Sequence, residues 1–419
     1  MQRFMSLIPL SLVLIASLLP RSVLALDSTP VKNLVVFGDS YSDAGNFHRW
    51  TNGPIWSEDL AVAWNASLYS FAHTGSACDN ALFPNVSMEM TTPSIRDQIE
   101  HFYHQDLQLD PTETLFAIWV GVNDIQQSYQ QKLGSTTPPT FENVSQCITE
   151  QIRSIRKVFG ANRIMVFNVP PMQHMPFFID REDKPQWESA AEQLNRLIQN
   201  DVVNLNKHHH ALELDLIDIH SLLTDVMADP SMFNFVNALD AYLDVCHGSC
   251  TDNVDHYVWW DRTHITGGMH RLIANSILLA GSYGKSMSLD ASVGDVTAWI
   301  NAPDSPYRSP KYTPPPHTGV IERVMQQIAA ESLAPIYVQQ QDDFDTDLFV
   351  NHRLLTVASL LLLLGIIVIV WMRQQRKRRG SSSHQLGILG SFATTQEQQH
   401  RRFRSFSPPF HSSGPSANK

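Results

Sequence analysis

Five short runs rich in Val, Ile, Leu and Phe constrain this chain more than any other feature: Leu34 to Phe37, Leu68 to Ala72, Leu115 to Val120, Ile164 to Asn168 and Leu212 to Ile219. Runs that are apolar on both faces read as strands buried on both sides, which is the condition of a parallel sheet. Segments with helical spacing separate them near Trp56 to Trp64, Pro93 to His104, Phe141 to Phe159 and Pro185 to His208, and another follows at Thr266 to Leu279. Strand and helix in alternation predict an α/β fold with a mostly parallel sheet covered by helices on both faces.

The first run ends in Gly38-Asp39-Ser40, followed by Tyr41-Ser42-Asp43. Glycine permits a sharp turn at a strand's carboxyl end, and open α/β sheets place their active sites at that end. Ser40 is therefore the candidate nucleophile. A strand ending in such a turn is common without catalysis, so the partners decide. A serine hydroxyl needs a base, a carboxylate to orient that base, and donors for the oxyanion.

Asp261-Arg262-Thr263-His264 supplies the first two. An acid three residues before a histidine lets the side chains meet in a turn, with the second ring nitrogen free to face Ser40. A surface ion pair is the plain alternative, and Asp255-His256 is a nearby pair with the wrong spacing. The oxyanion donors would be the backbone amides of Ser40 and of Gly75, in Phe71-Ala72-His73-Thr74-Gly75-Ser76-Ala77, and the side-chain amide of Asn123, in Val120-Gly121-Val122-Asn123-Asp124. Each such donor typically contributes 10²–10³ in rate.

Ser40, Gly75, Asn123 and His264, in that chain order, resemble the SGNH subgroup of the GDSL hydrolases over roughly Val31 to Gly281. The Ser-Ala-Cys-Asp-Asn continuation at Ser76 to Asn80 is similar to the fungal acetylesterases of carbohydrate esterase family sixteen. The resemblance implies a three-layer α/β/α sandwich, ester hydrolysis without a cofactor, and O-acetylated carbohydrates as substrates. Two positions depart from the pattern: Tyr41 stands where the family name implies leucine, and Ile265 where proline is common.

The remainder of the 419 residues reads as appendages. Residues 1–25 carry Arg3, an apolar run and Val23-Leu24-Ala25, the pattern of a secretory signal peptide before a domain at 26–289. Residues 290–353 contain Pro303, Pro306, Pro310 and Pro314-Pro315-Pro316 and read as a stalk, with a short helix expected at Val320 to Leu333. Residues 354–372 lack any charge and as a helix would rise about 28 Å, enough to span a bilayer. Arg373, Arg376, Lys377, Arg378 and Arg379 follow at once, so a type I orientation is expected, with a basic, disordered tail at 373–419 in the cytosol. That long polar tail argues against a GPI signal.

Charge divides at the same boundary. Nine Lys and Arg face one Glu beyond residue 372, which leaves 21 basic against 40 acidic residues before it. An acidic outer portion argues against nucleic acid or anionic lipid as its partner. Cys78, Cys147, Cys246 and Cys250 suit an oxidising compartment. Three pairings are open to four cysteines, and the short loop between Cys246 and Cys250 suggests that these two pair, leaving Cys78 with Cys147. Asn65, Asn85 and Asn143 begin Asn-x-Ser sequons. His208-His209-His210 reads as a polar helix end, and no metal site is expected.

Trp56, Trp259 and Trp260 are candidate substrate contacts, with core packing as the alternative for each. The functional expectation is a serine esterase acting on O-acetyl groups of oligosaccharides, anchored by one helix. A membrane-tethered lipase or lysophospholipase is the alternative enzyme, and a carbohydrate receptor on the same scaffold the non-catalytic one. The sequence leaves the oligomeric state open.

Overall fold

A computed structural model describes residues 29–333, apart from residues 85, 87–91, 210–211, 248 and 316. Each apolar run forms a strand: β1 (Asn33–Gly38), β2 (Ser67–Ser70), β3 (Thr114–Trp119), β4 (Arg163–Phe167) and β5 (Glu213–Ile217). All neighbours pair in parallel, in the order β2-β1-β3-β4-β5. Every residue of β3 and β4 is buried, as strands covered on both faces require.

The helices are α1 (Trp56–Trp64), α2 (Ile95–His104), α3 (Val122–Gln131), α4 (Glu142–Phe159), α5 (Lys184–His208), α6 (Ile219–Ala228), α7 (Tyr242–Cys246), α8 (Gly267–Ala280), α9 (Val293–Asn301) and α10 (Val320–Leu333). The chain leaves β1 toward β2 on one side, whereas β3 leads to β4 on the other. Right-handed crossovers then place α1 on one face of the sheet and α2, α4 and α5 on the opposite face. Packing agrees: α1 lies against α8 and α9, while α4 lies against α2, α5 and α10. The crevice at the carboxyl ends of β1 and β3, where the order reverses, is where such sheets bind ligands.

A small parallel pair, β6 (Asn237–Ala241) and β7 (Tyr257–Trp259), carries the chain from α6 to α8. Neither β6, α3 nor α6 stood out in the sequence, because each is short and only partly apolar. Cys78 is bonded to Cys147, tying the loop before α2 to α4, and Cys246 to Cys250 beyond α7. Asn65 caps α1 in a left-handed conformation with its Oδ1 accepting from Tyr307 Oη at 2.7 Å, and Asn143 is exposed on α4.

The expected stalk is corrected over its first two thirds. Residues 290–333 pack on the domain. The Leu68 amide donates to the Pro306 carbonyl at 2.8 Å, and the Ser70 amide to Ser309 Oγ at 2.8 Å, so this segment covers the free edge of β2. Tyr312 stacks on Phe71 at 4.0 Å. Glu100 Oε1 accepts from the Thr318 amide and hydroxyl, both at 2.6 Å, and its Oε2 from the Gly319 amide at 3.0 Å, while Ile321 is buried. Proline forbids a central strand but suits a strap along a sheet edge, where missing amides cost nothing.

Among the described residues, no helix is long and apolar enough to cross a membrane. The expected signal peptide, the spanning segment 354–372, the basic tail, Asn85 and His210 all lie outside the described residues.

Candidate active site

β1 delivers the candidate nucleophile, Ser40. Its last residue, Gly38, packs so closely that a Cβ there would meet Ser42 Cβ and the Trp119 carbonyl at 2.9 Å, so glycine alone permits the turn. Asp39 is wholly buried, and its Oδ1 accepts from the Tyr41 amide at 3.0 Å, which fixes the turn beneath Ser40.

The Asp261–His264 turn, between β7 and α8, meets Ser40 there. His264 Nε2 lies 2.8 Å from Ser40 Oγ, and His264 Nδ1 lies 2.7 Å from Asp261 Oδ2. An ionised carboxylate only accepts, so Nδ1 donates to Asp261 and Nε2 is left to accept the serine proton. The other oxygen of Asp261 accepts from the amides of Thr263 at 2.8 Å and His264 at 2.7 Å. Burial alone would raise the Asp261 pKa, but the hydrogen bond and charge of His264, with those two amides, outweigh it and hold it low. Asp255 of the decoy pair is engaged elsewhere, accepting from Asn52 Nδ2 at 2.7 Å.

The two further oxyanion candidates meet through Ser76. Gly75 holds a left-handed conformation at φ 84°, and Asn123, in the first turn of α3, donates one Nδ2 hydrogen to the Ser76 carbonyl at 3.0 Å. Among the described residues, its second hydrogen has no acceptor. Gln98 joins this turn to the nucleophile: its Oε1 accepts from the Gly38 amide, and its Nε2 donates to the Gly38 carbonyl and to Ser76 Oγ, each at 2.9 Å. Among the described residues, the Ser40 and Gly75 amides have no protein acceptor.

Two of the three expected substrate tryptophans belong to the core. Trp56 and Trp259 are fully buried, donating to Ser42 Oγ at 3.2 Å and to the Ala238 carbonyl at 2.9 Å. Trp260 is partly buried and stacks on Tyr242. The tryptophan at the site is Trp50, whose ring lies parallel to the His264 imidazole at 5.1 Å and 15°. Its Nε1 donates to Thr74 Oγ1 at 3.1 Å, and Thr74 in turn donates to Asp43 Oδ2 at 2.9 Å. No sequence periodicity marks Trp50, because it sits in the irregular loop between β1 and α1.

Two buried carboxyls lie beneath the site. Burial pushes Asp39 up to about 8, against the opposing hydrogen bond from the Tyr41 amide and with a smaller push from Asp124. Asp124 is driven up to about 7 by burial, against the bond from the Cys78 amide.

A serine, a histidine and a carboxylate in hydrogen-bonded series, beside convergent donors, suit acyl transfer. The family model for GDSL-like lipases and acylhydrolases matches residues 34–277, the span that contains every one of these groups. The chain belongs to this family.

Among the relatives of this chain, the thermolabile hemolysin of Vibrio parahaemolyticus is 23% identical over 288 residues, 61% of this chain and 65% of the hemolysin. The chain thus spans slightly less than two thirds of that protein. An acetylesterase of Hypocrea jecorina is 20% identical over 309 residues, covering 59% of this chain and 88% of the relative. The crystal structure of an acetylxylan esterase from Geobacillus stearothermophilus superposes with a TM-score of 0.38 at 12% identity, covering 63% of this chain and all of that one.

Proposed function

We propose that this GDSL hydrolase removes O-acetyl groups from carbohydrates through an acyl-enzyme, with Ser40 as nucleophile. The observation that carries the reading is the continuous relay from Ser40 Oγ through His264 to Asp261, at 2.8 and 2.7 Å. Ser40 Oγ attacks the ester carbonyl while its proton passes to His264 Nε2. The developing oxyanion is met by the Ser40 and Gly75 amides and Asn123 Nδ2. Collapse breaks the ester C–O bond, and the imidazolium returns the proton to the leaving alcohol. Water, deprotonated by the same nitrogen, then attacks the acyl-serine; collapse breaks the bond between the acyl carbon and Ser40 Oγ, the imidazolium returns the proton to Oγ, and acetate leaves. Asp261, held ionised, stabilises the imidazolium at each half-reaction.

Acetyl esters are favoured by the similarity to fungal acetylesterases over most of their length, and carbohydrates by the resemblance of the Ser76 to Asn80 run to carbohydrate esterase family sixteen. The reading is tested with the full-length protein on p-nitrophenyl esters from acetate to palmitate and on acetylated xylo-oligosaccharide. Acetate-selective turnover, falling about 10⁶-fold in Ser40→Ala and about 10²–10³-fold in Asn123→Ala, is the expected result. Selectivity for palmitate would transfer the substrate to lipids, and equal, small losses in both variants would reject the assignment.

The proposal includes a type I membrane placement with the catalytic domain outside the cytosol, supported by the apolar segment 354–372 and its basic flank. Protease added to intact cells should remove the domain and spare the tail; the opposite pattern would reverse the topology.

A further inference from the structure

We propose that Tyr41 is a positioning residue, a clamp that holds the acid–base turn against the nucleophile. The proposal rests on the Ser40–His264–Asp261 reading. Tyr41 follows Ser40 directly, and its hydroxyl donates to the carbonyl of Thr263 at 2.5 Å. Thr263 directly precedes His264. A closed circuit results: Ser40, Tyr41, the clamp bond, Thr263, His264, and back to Ser40 through Nε2. These segments are 222 residues apart in the chain, and no strand pairing joins them.

The clamp is rigid at both ends. The Tyr41 ring is buried at 3% exposure and stacks on Trp119 of β3 at 5.0 Å and 20°, so the phenol cannot swing away. Its backbone amide is held by Asp39. The same ring approaches the His264 imidazole at 5.7 Å. Burial, with the charges of Asp39 and Asp261 adding to it, keeps the phenol pKa well above its ordinary value, so it stays a donor. The leucine implied by the family name has no donor to offer the Thr263 carbonyl. This chain has therefore built into its nucleophile turn a tie to the acid–base turn that a leucine could not make.

The test compares Tyr41→Phe and Tyr41→Leu with the parent and with His264→Ala in the full-length protein. Rates on p-nitrophenyl acetate are normalised to Ser40 sites titrated by a serine-directed phosphonate, so loss of folded protein does not count. Small displacements of a catalytic group cost up to 10²-fold, so a fall of about tenfold in kcat with KM within about twofold is expected in both Tyr41 variants. The phosphonate should also label Ser40 more slowly in each. Parent-like kcat and labelling in both Tyr41 variants, with His264→Ala inactive, overturns the clamp and leaves the relay intact. A rise in KM alone likewise overturns it. An active His264→Ala rejects the relay itself.

Discussion

At the residue scale, the site stands on groups that would be costly if charged where they lie. Asp39 is neutral in the folded protein up to about pH 8, whereas an unfolded aspartate ionises near 3.9. Its contribution to stability is therefore complete below about pH 4 and is lost as the pH rises through about 8, at roughly 1.4 kcal/mol per pH unit. Asp124 acts in the same direction. His270 opposes them: burial, then the charges of Arg49 and His264, pushes it down to about 3, so its contribution falls as the pH drops below about 6.5. Comparing Asp39→Asn with the parent isolates one term, since asparagine still accepts from the Tyr41 amide. The variant should gain stability relative to the parent between about pH 4 and 8 in urea unfolding. A constant difference across that range would mean that Asp39 is ionised when folded.

At the scale of elements, the proposed catalytic groups come from four chain segments brought together by the reversal of strand order between β1 and β3. Ser40 leaves β1, Asn123 follows β3, Gly75 follows β2, and His264 precedes α8. The Cys78–Cys147 bond secures the Gly75 segment to α4, and Asp124, beside Asn123, accepts from the Cys78 amide at 2.9 Å. Closing a loop of this length restricts the unfolded chain, so the paired Cys78→Ser, Cys147→Ser variant should lose about 3–5 kcal/mol in urea unfolding. Its Ser40-dependent kcat should fall as well, since the Gly75 turn loses its anchor. Full activity in the folded variant would show that the hydrogen bonds of Gln98, Asn123 and Asp124 hold that turn without the disulfide. Gln98 itself carried no sequence signal, because a glutamine that bridges two turns looks like any polar helix residue.

At the scale of the molecule, residues 302–321 form a strap joining the free edge of β2 to the catalytic loop. Asn46, in the loop organised by Asp43, donates to the Ser70 and Ala72 carbonyls and accepts from the Tyr312 amide at 2.9 Å. A fragment ending at residue 289 should expose the β2 edge, lower the melting temperature and aggregate more readily than one ending at residue 333. Equal melting temperatures would make the strap dispensable. The strap was illegible in the sequence because prolines describe what a segment cannot be, not the surface on which it lies. The five strands of the main sheet, the main helices and the meeting of Ser40, Asp261 and His264 were legible, because local apolar periodicity and short-range turn spacing are written within a few residues of each other. The separation of Trp56 and Trp259 in the core from Trp50 on His264 was not, nor was the Tyr41 tie, because each depends on which distant side chains share one volume. Apolar pattern sets what must be buried; only the packed sheet decides which aromatic is buried as core and which one faces the reacting imidazole.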